Sequence, residues 1–174
     1  AATVAVIGGG IFGCTAAIEL ARAGHRVTLY EAAGDIMQAA SGINQYRMHK
    51  GYHYPRSSDT IRSCMDATPS FEAEYKDAII GHLTHYYAIA KEGSKVSGEQ
   101  YLATLREHGL SHNVVDTPIV NKDMIDVVVD ADENLYDPAK LREIIRRRLT
   151  EHNVDVRLNT RADVDELAEF DFIV

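Results

Sequence analysis

Val4-Ala5-Val6-Ile7-Gly8-Gly9-Gly10-Ile11-Phe12-Gly13 is the stretch whose reading decides the fold. Thr3 to Ile7 is a short β-branched apolar run of the kind buried in parallel sheets, and it flows directly into the glycines. A helical pattern follows, carried by Ile11, Ala16, Ile18, Leu20 and Ala21, with Gly24 placed to end it. Arg26-Val27-Thr28-Leu29-Tyr30 reads as a second strand, closed by Glu31. The unit is βαβ.

Glycines cluster in many turns, so a GxGxxG pattern carries weight only in context. It must follow a strand, open a helix, lie within a βαβ of about 30 residues and have an acid about 20 residues further on. All of these hold here. Gly8 permits the tight turn, Gly10 lets the backbone approach a pyrophosphate, and Gly13 lets helix and strand pack closely. The first-turn N–H groups and the positive helix end then receive phosphates. Glu31 is placed to accept hydrogen bonds from an adenosine ribose, and its charge disfavours the 2′-phosphate of NADP. The competing reading is a glycine-rich turn in another α/β fold.

Outward from this unit the rhythm breaks. Residues 32–58 run through Ala32-Ala33-Gly34-Asp35 and then Ser41 to Arg56, a polar, aromatic, glycine-bearing segment with little apolar periodicity. A loop that long inside a compact domain is usually functional. An NAD site needs little there, whereas a flavin extends past the pyrophosphate, and Ser41 to Arg56 has the composition to line its path. Ser58 or Asp59 is a cap for a helix through about Lys76, interrupted or restarted at Pro69. His85 to Ala90 reads as a strand. Ser97 caps a helix to about His108 with Gly109 as its stop, 111–123 reads as loop, and Ile125 to Val129 as strand. Asp132-Glu133-Asn134 is a turn, and Asp137-Pro138 starts a helix to about His152. Val154 to Leu158 is strand-like, Ala162 to Leu167 is a short strand or turn, and Phe170 to Val174 reads as a buried strand.

The 174 residues hold 18 Lys+Arg against 26 Asp+Glu, a net charge of −8. Nucleic-acid binding is disfavoured, because a phosphate backbone calls for a basic footprint and the run Arg146-Arg147-Arg148 has Glu143 and Glu151 beside it. Near a helix C-terminus that run reads as a solvated face that complements the dipole. With 45% apolar and 25% charged residues the composition is globular. Two cysteines, Cys14 and Cys64, make no disulfide framework or zinc pattern. No apolar run approaches the roughly 20 residues that span a bilayer, and Ala1 to Ile7 lacks the regions of a signal peptide. The expectation is a cytoplasmic protein with a small-molecule substrate, no nucleic-acid partner and no membrane span.

The glycine turn, the helix ending Ala23-Gly24-His25 and Val27-Thr28-Leu29-Tyr30-Glu31 resemble the N-terminus of the D-amino-acid oxidase superfamily of FAD-dependent oxidoreductases, which includes glycine, sarcosine and L-2-hydroxyglutarate oxidases. Ala40-Ser41-Gly42 is similar to the family's Ala-Ser contact with FAD, and His49-Lys50-Gly51-Tyr52-His53-Tyr54 to the His-x-Gly-x-x-Tyr stretch of the hydroxyglutarate oxidase branch. Leu135-Tyr136-Asp137-Pro138 to Leu141, then Val154-Asp155-Val156 and Val164, is similar to the family's return from its substrate domain, where a valine meets the adenine through its backbone.

The resemblance implies an α/β fold: a Rossmann-like FAD-binding βαβ domain with the start of an inserted α+β substrate domain. Residues 1–77 would be the first part of the FAD domain, 78–134 a partial cap, and 135–174 the returning part. A further flavin-contacting Ala-Thr-Gly-type stretch is expected after Val174, so the chain reads as the N-terminal half of a longer protein. The implied activity is oxidation of a small amine, amino acid or 2-hydroxy acid by hydride transfer to flavin. The cofactor-binding candidates are Gly8, Gly10, Ile11, Phe12, Gly13, Glu31, Ala40, Ser41, Asn44, Gln45, Arg47 and Val164. Arg47 and His49, nearest the flavin ring by the resemblance, are the catalytic candidates. Around them stand Tyr52, His53, Tyr54 and Arg56, which satisfy one another in the blander reading.

An NAD-dependent dehydrogenase and a non-catalytic nucleotide-binding module remain the alternatives. The pairs His82 with His85 and His108 with His112 lack a completing cysteine or carboxylate pattern, so no metal is expected. Cys14 sits where a helix dipole would lower its pKa, although buried packing is the commoner role. Tyr86, Tyr87 and Tyr101 are substrate-cavity candidates or, more often in a sheet, packing residues.

Overall fold

A computed structural model describes residues 1–44, 46–81 and 83–174. They form two compact units, one of Ala1–Tyr46 with Asp137–Val174, the other of Arg47–Tyr136. Residues 47–77, which the sequence reading groups with the first part of the chain, belong by contact to the second unit. The polar loop crosses from one unit to the other between Tyr46 and Arg47, where composition gives no break.

The first unit is a parallel sheet of order β8-β2-β1-β9, built from β1 (Thr3–Ile7), β2 (Arg26–Tyr30), β8 (Asp155–Arg157) and β9 (Phe172–Ile173). The apolar run of β1 is buried at Val4, Ala5 and Val6 and runs in register with Val27, Thr28 and Leu29. Helix α1 (Ile11–Arg22) lies beside β2 and against α5 (Pro138–Glu151). Asp137 caps α5 by accepting from the Ala139 and Lys140 N–H groups at 2.9 and 3.1 Å, with Pro138 at the first position. Leu141, Ile144, Ile145 and Leu149 recur at helical spacing and are all buried. Leu167 packs with Ala5 and Tyr30, and Phe170 meets Tyr30 edge-on at 6.3 Å.

The second unit holds an antiparallel sheet of order β4-β6-β5, from β4 (His85–Ala90), β5 (His112–Val114) and β6 (Ile125–Ala131), and a small pair of β3 (Ile79–Ile80) with β7 (Leu135–Tyr136). Helices α3 (Ser58–Tyr75) and α4 (Gly98–Glu107) complete it, while the short α2 (Ala40–Ile43) belongs to the first unit. Ser97 and Gln100 form a reciprocal capping box on α4. The core gathers Tyr52, Ile61, Tyr101, Leu105, Leu110 and Val129.

Four local readings are corrected. The cap of α3 is Ser57, whose Oγ accepts from the Thr60 N–H, rather than Ser58 or Asp59. Pro69 lies inside a helix that continues to Tyr75. The 111–123 loop contains β5, three residues too few for a periodic signal. Phe170 to Val174 shrinks to β9, which pairs with β1 among the described residues and whose Phe172 is 62% exposed.

Candidate functional site

In the first unit the backbone makes the glycine turn before any side chain takes part. Gly8 has φ +103°, a left-handed conformation that L side chains rarely adopt, and its N–H donates to the Tyr30 carbonyl at 2.8 Å. A Cβ on Gly13 would lie 1.9 Å from the Gly8 carbonyl oxygen, so only glycine lets α1 start this close to β1. At Gly10 the nearest obstacle to a Cβ is Ser41 Oγ at 3.5 Å, so the approach to the helix start is open. Ile11 is the first helical residue, its N–H donating to Ser41 Oγ at 3.1 Å, and Phe12 beside it is 88% exposed.

Glu31 closes the turn from the other side. Its Oε2 accepts from the Gly9 N–H at 2.6 Å and its Oε1 from the Ala33 N–H at 2.7 Å. Each oxygen keeps lone-pair capacity for a further donor. Ala40 and Ser41 stand on α2, whose approach is fixed by Gly42: a Cβ there would sit 2.1 Å from the Met37 carbonyl oxygen. The Met37 N–H in turn donates to Gly9 O at 2.7 Å. Asn44 ends α2 and its Oδ1 accepts from the Tyr46 N–H at 2.8 Å. Gln45 lies outside the described residues.

Gly8, Gly10, Ile11, Gly13, Glu31 and Ser41 therefore come together. Val164 stands in a separate 3-10 turn and is exposed. Its segment reaches the site earlier, where the Thr160 N–H donates to the Glu31 carbonyl at 2.9 Å. Cys14 is fully buried with Sγ against Gly9 O, and burial first, the charge of Glu31 second, push its thiol up to about 12. The dipole-activated thiolate is overturned in favour of packing.

Arg47 and His49 stand in the second unit, on a strap of backbone. Arg47 bridges Leu135, the Met48 N–H donates to Asn134 O at 2.9 Å, and the Lys50 N–H to Glu133 Oε1 at 2.9 Å. The Arg47 guanidinium lies over the Tyr87 ring, 5.3 Å from its centroid. Tyr87 stacks on Tyr52 at 5.7 Å, and its hydroxyl donates to Glu133 Oε2 at 2.7 Å. His49 is held below its ordinary pKa mainly by burial, with Glu133 pulling it back up and His53 and Arg47 adding to the depression. Tyr101 is a packing residue whose hydroxyl donates to the Tyr52 carbonyl.

Sequence reasoning missed Glu133. It sits in what reads as a surface turn, yet it is 3% exposed. The signal was present in weak form: three polar residues between two strands put one of them inward. Of the histidines once paired, His82 lies outside the described residues, His85 is buried, His108 meets Ser58 and His112 bonds the Leu110 carbonyl. Among the described residues no helix is long and apolar enough to cross a membrane. The basic run lies on a solvated face as expected, where Arg146 pairs with Asp35 and Arg147 lies 3.8 Å from Glu151.

Comparison with known proteins agrees with this geometry. The model of the DAO family, FAD dependent oxidoreductases, matches residues 3–169. The FAD-dependent monooxygenase kojA of Aspergillus flavus is 42% identical over 103 residues, 56% of this chain and 24% of that protein. Glycine oxidase of Bacillus cereus superposes with a TM-score of 0.69 at 16% identity, over 92% of this chain and 47% of that one. L-proline dehydrogenase of P. horikoshii gives 0.72 at 14% identity, over 93% and 45%. The chain thus spans about a quarter of the curated relative and under half of these solved structures. With the glycine turn, its acid and the parallel sheet in place, the chain belongs to the family of FAD-dependent oxidoreductases.

Proposed function

We propose that the first unit binds the adenosine and pyrophosphate of FAD and that the second belongs to the substrate side of an enzyme that oxidises a small amine, amino acid or 2-hydroxy acid. The carrying observation is the Glu31 carboxylate fixed by the Gly9 and Ala33 N–H groups beside the open Gly10 turn. Those residues fit the cofactor: the N–H groups opening α1 suit a pyrophosphate, and Glu31 retains acceptor capacity for ribose hydroxyls while repelling a 2′-phosphate. Ser41, already bonded to Ile11, joins the phosphate side, and Ala40, Asn44, Phe12 and the Val164 backbone complete the assignment by resemblance.

When bound, FAD supplies a two-electron acceptor for the hydride of the C–H bond beside the amine or hydroxyl. Arg47 holds a substrate carboxylate or the negative charge of reduced flavin. His49, whose pKa burial lowers, accepts the proton from the substrate N–H or O–H. The product is the corresponding imine or carbonyl compound.

The test is purification of the full chain, flavin content from its visible absorbance, and anaerobic addition of a panel of amino and hydroxy acids. Retained FAD bleached by one of them supports the reading. Saturable NAD binding with no flavin sinks it, and tight FAD that no substrate bleaches favours a non-catalytic module. A second reading, oxygen insertion, is favoured by the identity with the monooxygenase kojA. It predicts a product carrying an atom from labelled O2, whereas oxidation yields hydrogen peroxide.

A further inference from the structure

We propose that Glu133 is the positioning residue of the Arg47–His49 strap, fixing its backbone at Lys50 and its guanidinium through the phenol of Tyr87. The inference rests on the reading that Arg47 and His49 act at the flavin, and it adds a residue that neither the fingerprint nor the resemblance marks.

A carboxylate is almost never fully buried unless it is paired. At 3% exposure Glu133 is paired in an unusual way, since its two oxygens go to two different neutral donors. Oε1 takes the Lys50 N–H at 2.9 Å and Oε2 takes the Tyr87 hydroxyl at 2.7 Å. The Lys50 ammonium turns instead to Asp132, at 3.0 Å. A carboxylate needed only to neutralise a lysine would take that ammonium. Glu133 grips the backbone and leaves the ammonium to its exposed neighbour.

The strap it grips is continuous. Arg47 bridges Leu135, Met48 bonds Asn134 and Lys50 bonds Glu133, so residues 47–50 run alongside 133–135. The second arm runs through Tyr87. Its ring is set in orientation from two sides, by the bond to Glu133 and by stacking on Tyr52 at 20° between planes. The Arg47 guanidinium rests on that ring's face. A buried carboxylate thus fixes a phenol, and the phenol's ring fixes a guanidinium that makes no ion pair among the described residues. Glu133 also acts through space: its charge opposes the burial that depresses His49. Networks of this kind in a low dielectric rigidify what they hold when every member is satisfied.

A purely structural carboxylate would affect folding alone, so the test reads the two groups it is argued to position. In the full chain, Glu133→Gln keeps size and an acceptor oxygen but removes the charge. Tyr87→Phe keeps the ring beneath Arg47 and cuts its tie. Inorganic sulfite, which adds to oxidised flavin in proportion to positive charge near the ring, is the probe for Arg47. Imidazole NMR is the probe for His49. Glu133→Gln is expected to retain FAD and lower the His49 titration midpoint, while Tyr87→Phe, which changes no charge, is expected to weaken sulfite binding about tenfold. Unchanged sulfite affinity together with an unmoved His49 overturns the proposal. If Glu133→Gln does not fold, Tyr87→Phe decides by sulfite affinity alone: weakened supports, unchanged overturns. Should the wild-type chain bind no FAD, the functional reading fails on its own, and the His49 titration in Glu133→Gln still decides this one.

Discussion

The Glu31 carboxylate accepts a hydrogen bond from the Gly9 N–H at 2.6 Å, tying the end of the second strand to the middle of the glycine turn. The acid proposed to read the ribose is therefore also part of the turn proposed to receive the phosphates. Replacing it by alanine should weaken both. Hydrogen bonds to charged groups contribute about 1.5–3 kcal/mol, so FAD affinity of Glu31→Ala is expected to fall by about 10-fold or more. Isothermal titration with FAD checks this, and an unchanged affinity would place the ribose elsewhere.

The glycines separate by role. Gly13→Ala brings a Cβ to 1.9 Å from the Gly8 carbonyl, an overpacking that costs about 1–3 kcal/mol or more. Gly10→Ala meets nothing nearer than Ser41 Oγ at 3.5 Å. The second variant should melt near wild type yet lose cofactor, while the first should lose melting temperature. Equal melting temperatures would contradict the close packing of α1 on β1.

The two cysteines should differ toward an alkylating reagent at mildly alkaline pH. Cys14 is fully buried with its thiol pushed up to about 12, chiefly by burial, whereas Cys64 is half-buried and less displaced. Peptide mapping after brief iodoacetamide treatment should find the label on Cys64. Label on Cys14 first would revive the activated thiol.

His49 gives a pH dependence with a definite sign. Its folded pKa lies below the ordinary value, mainly through burial, so the unfolded chain takes up the proton first as pH falls. Stability contributed by this group is intact above the ordinary histidine range and declines as pH drops through it, because the unfolded state then binds more protons. The urea midpoint should fall on acidification, and more shallowly in His49→Gln. An equal slope in both proteins would remove His49 from the account.

Asp137 accepts from two first-turn N–H groups of α5. Asp137→Ala should cost about 1 kcal/mol, read as a lower unfolding midpoint with the same m-value.

The parts legible in the sequence are those where a local rule and the fold agree. The run Thr3 to Ile7, the glycines and Asp137-Pro138 each carry their own geometry, and the strands and helix they mark appear where their residues stand. Glu31 was legible because the spacing from the turn is set by one βαβ unit. Glu133 was not, since its burial depends on Tyr87 and Lys50, 46 and 83 residues away in sequence. Short elements such as β5 carry too few residues for periodicity. The division at Tyr46 and Arg47 escapes for a similar reason: one polar loop serves both units.

The parallel register of β1 with β9 has a consequence for how the chain forms. Thr3 and Asp171, 168 positions apart, are joined by direct hydrogen bonds, and the whole second unit is threaded between them. Pairings of such separation form slowly, and synthesis delivers the N-terminal segment long before its partner strand. On the ribosome the antiparallel β4-β6-β5 sheet has all its strands early, while β1 waits, apolar and open on one side, for Phe172 and Ile173 to emerge. Order of assembly is thus inverted relative to order of sequence: the second unit is expected to be protected before the β1-β9 pairing of the first closes.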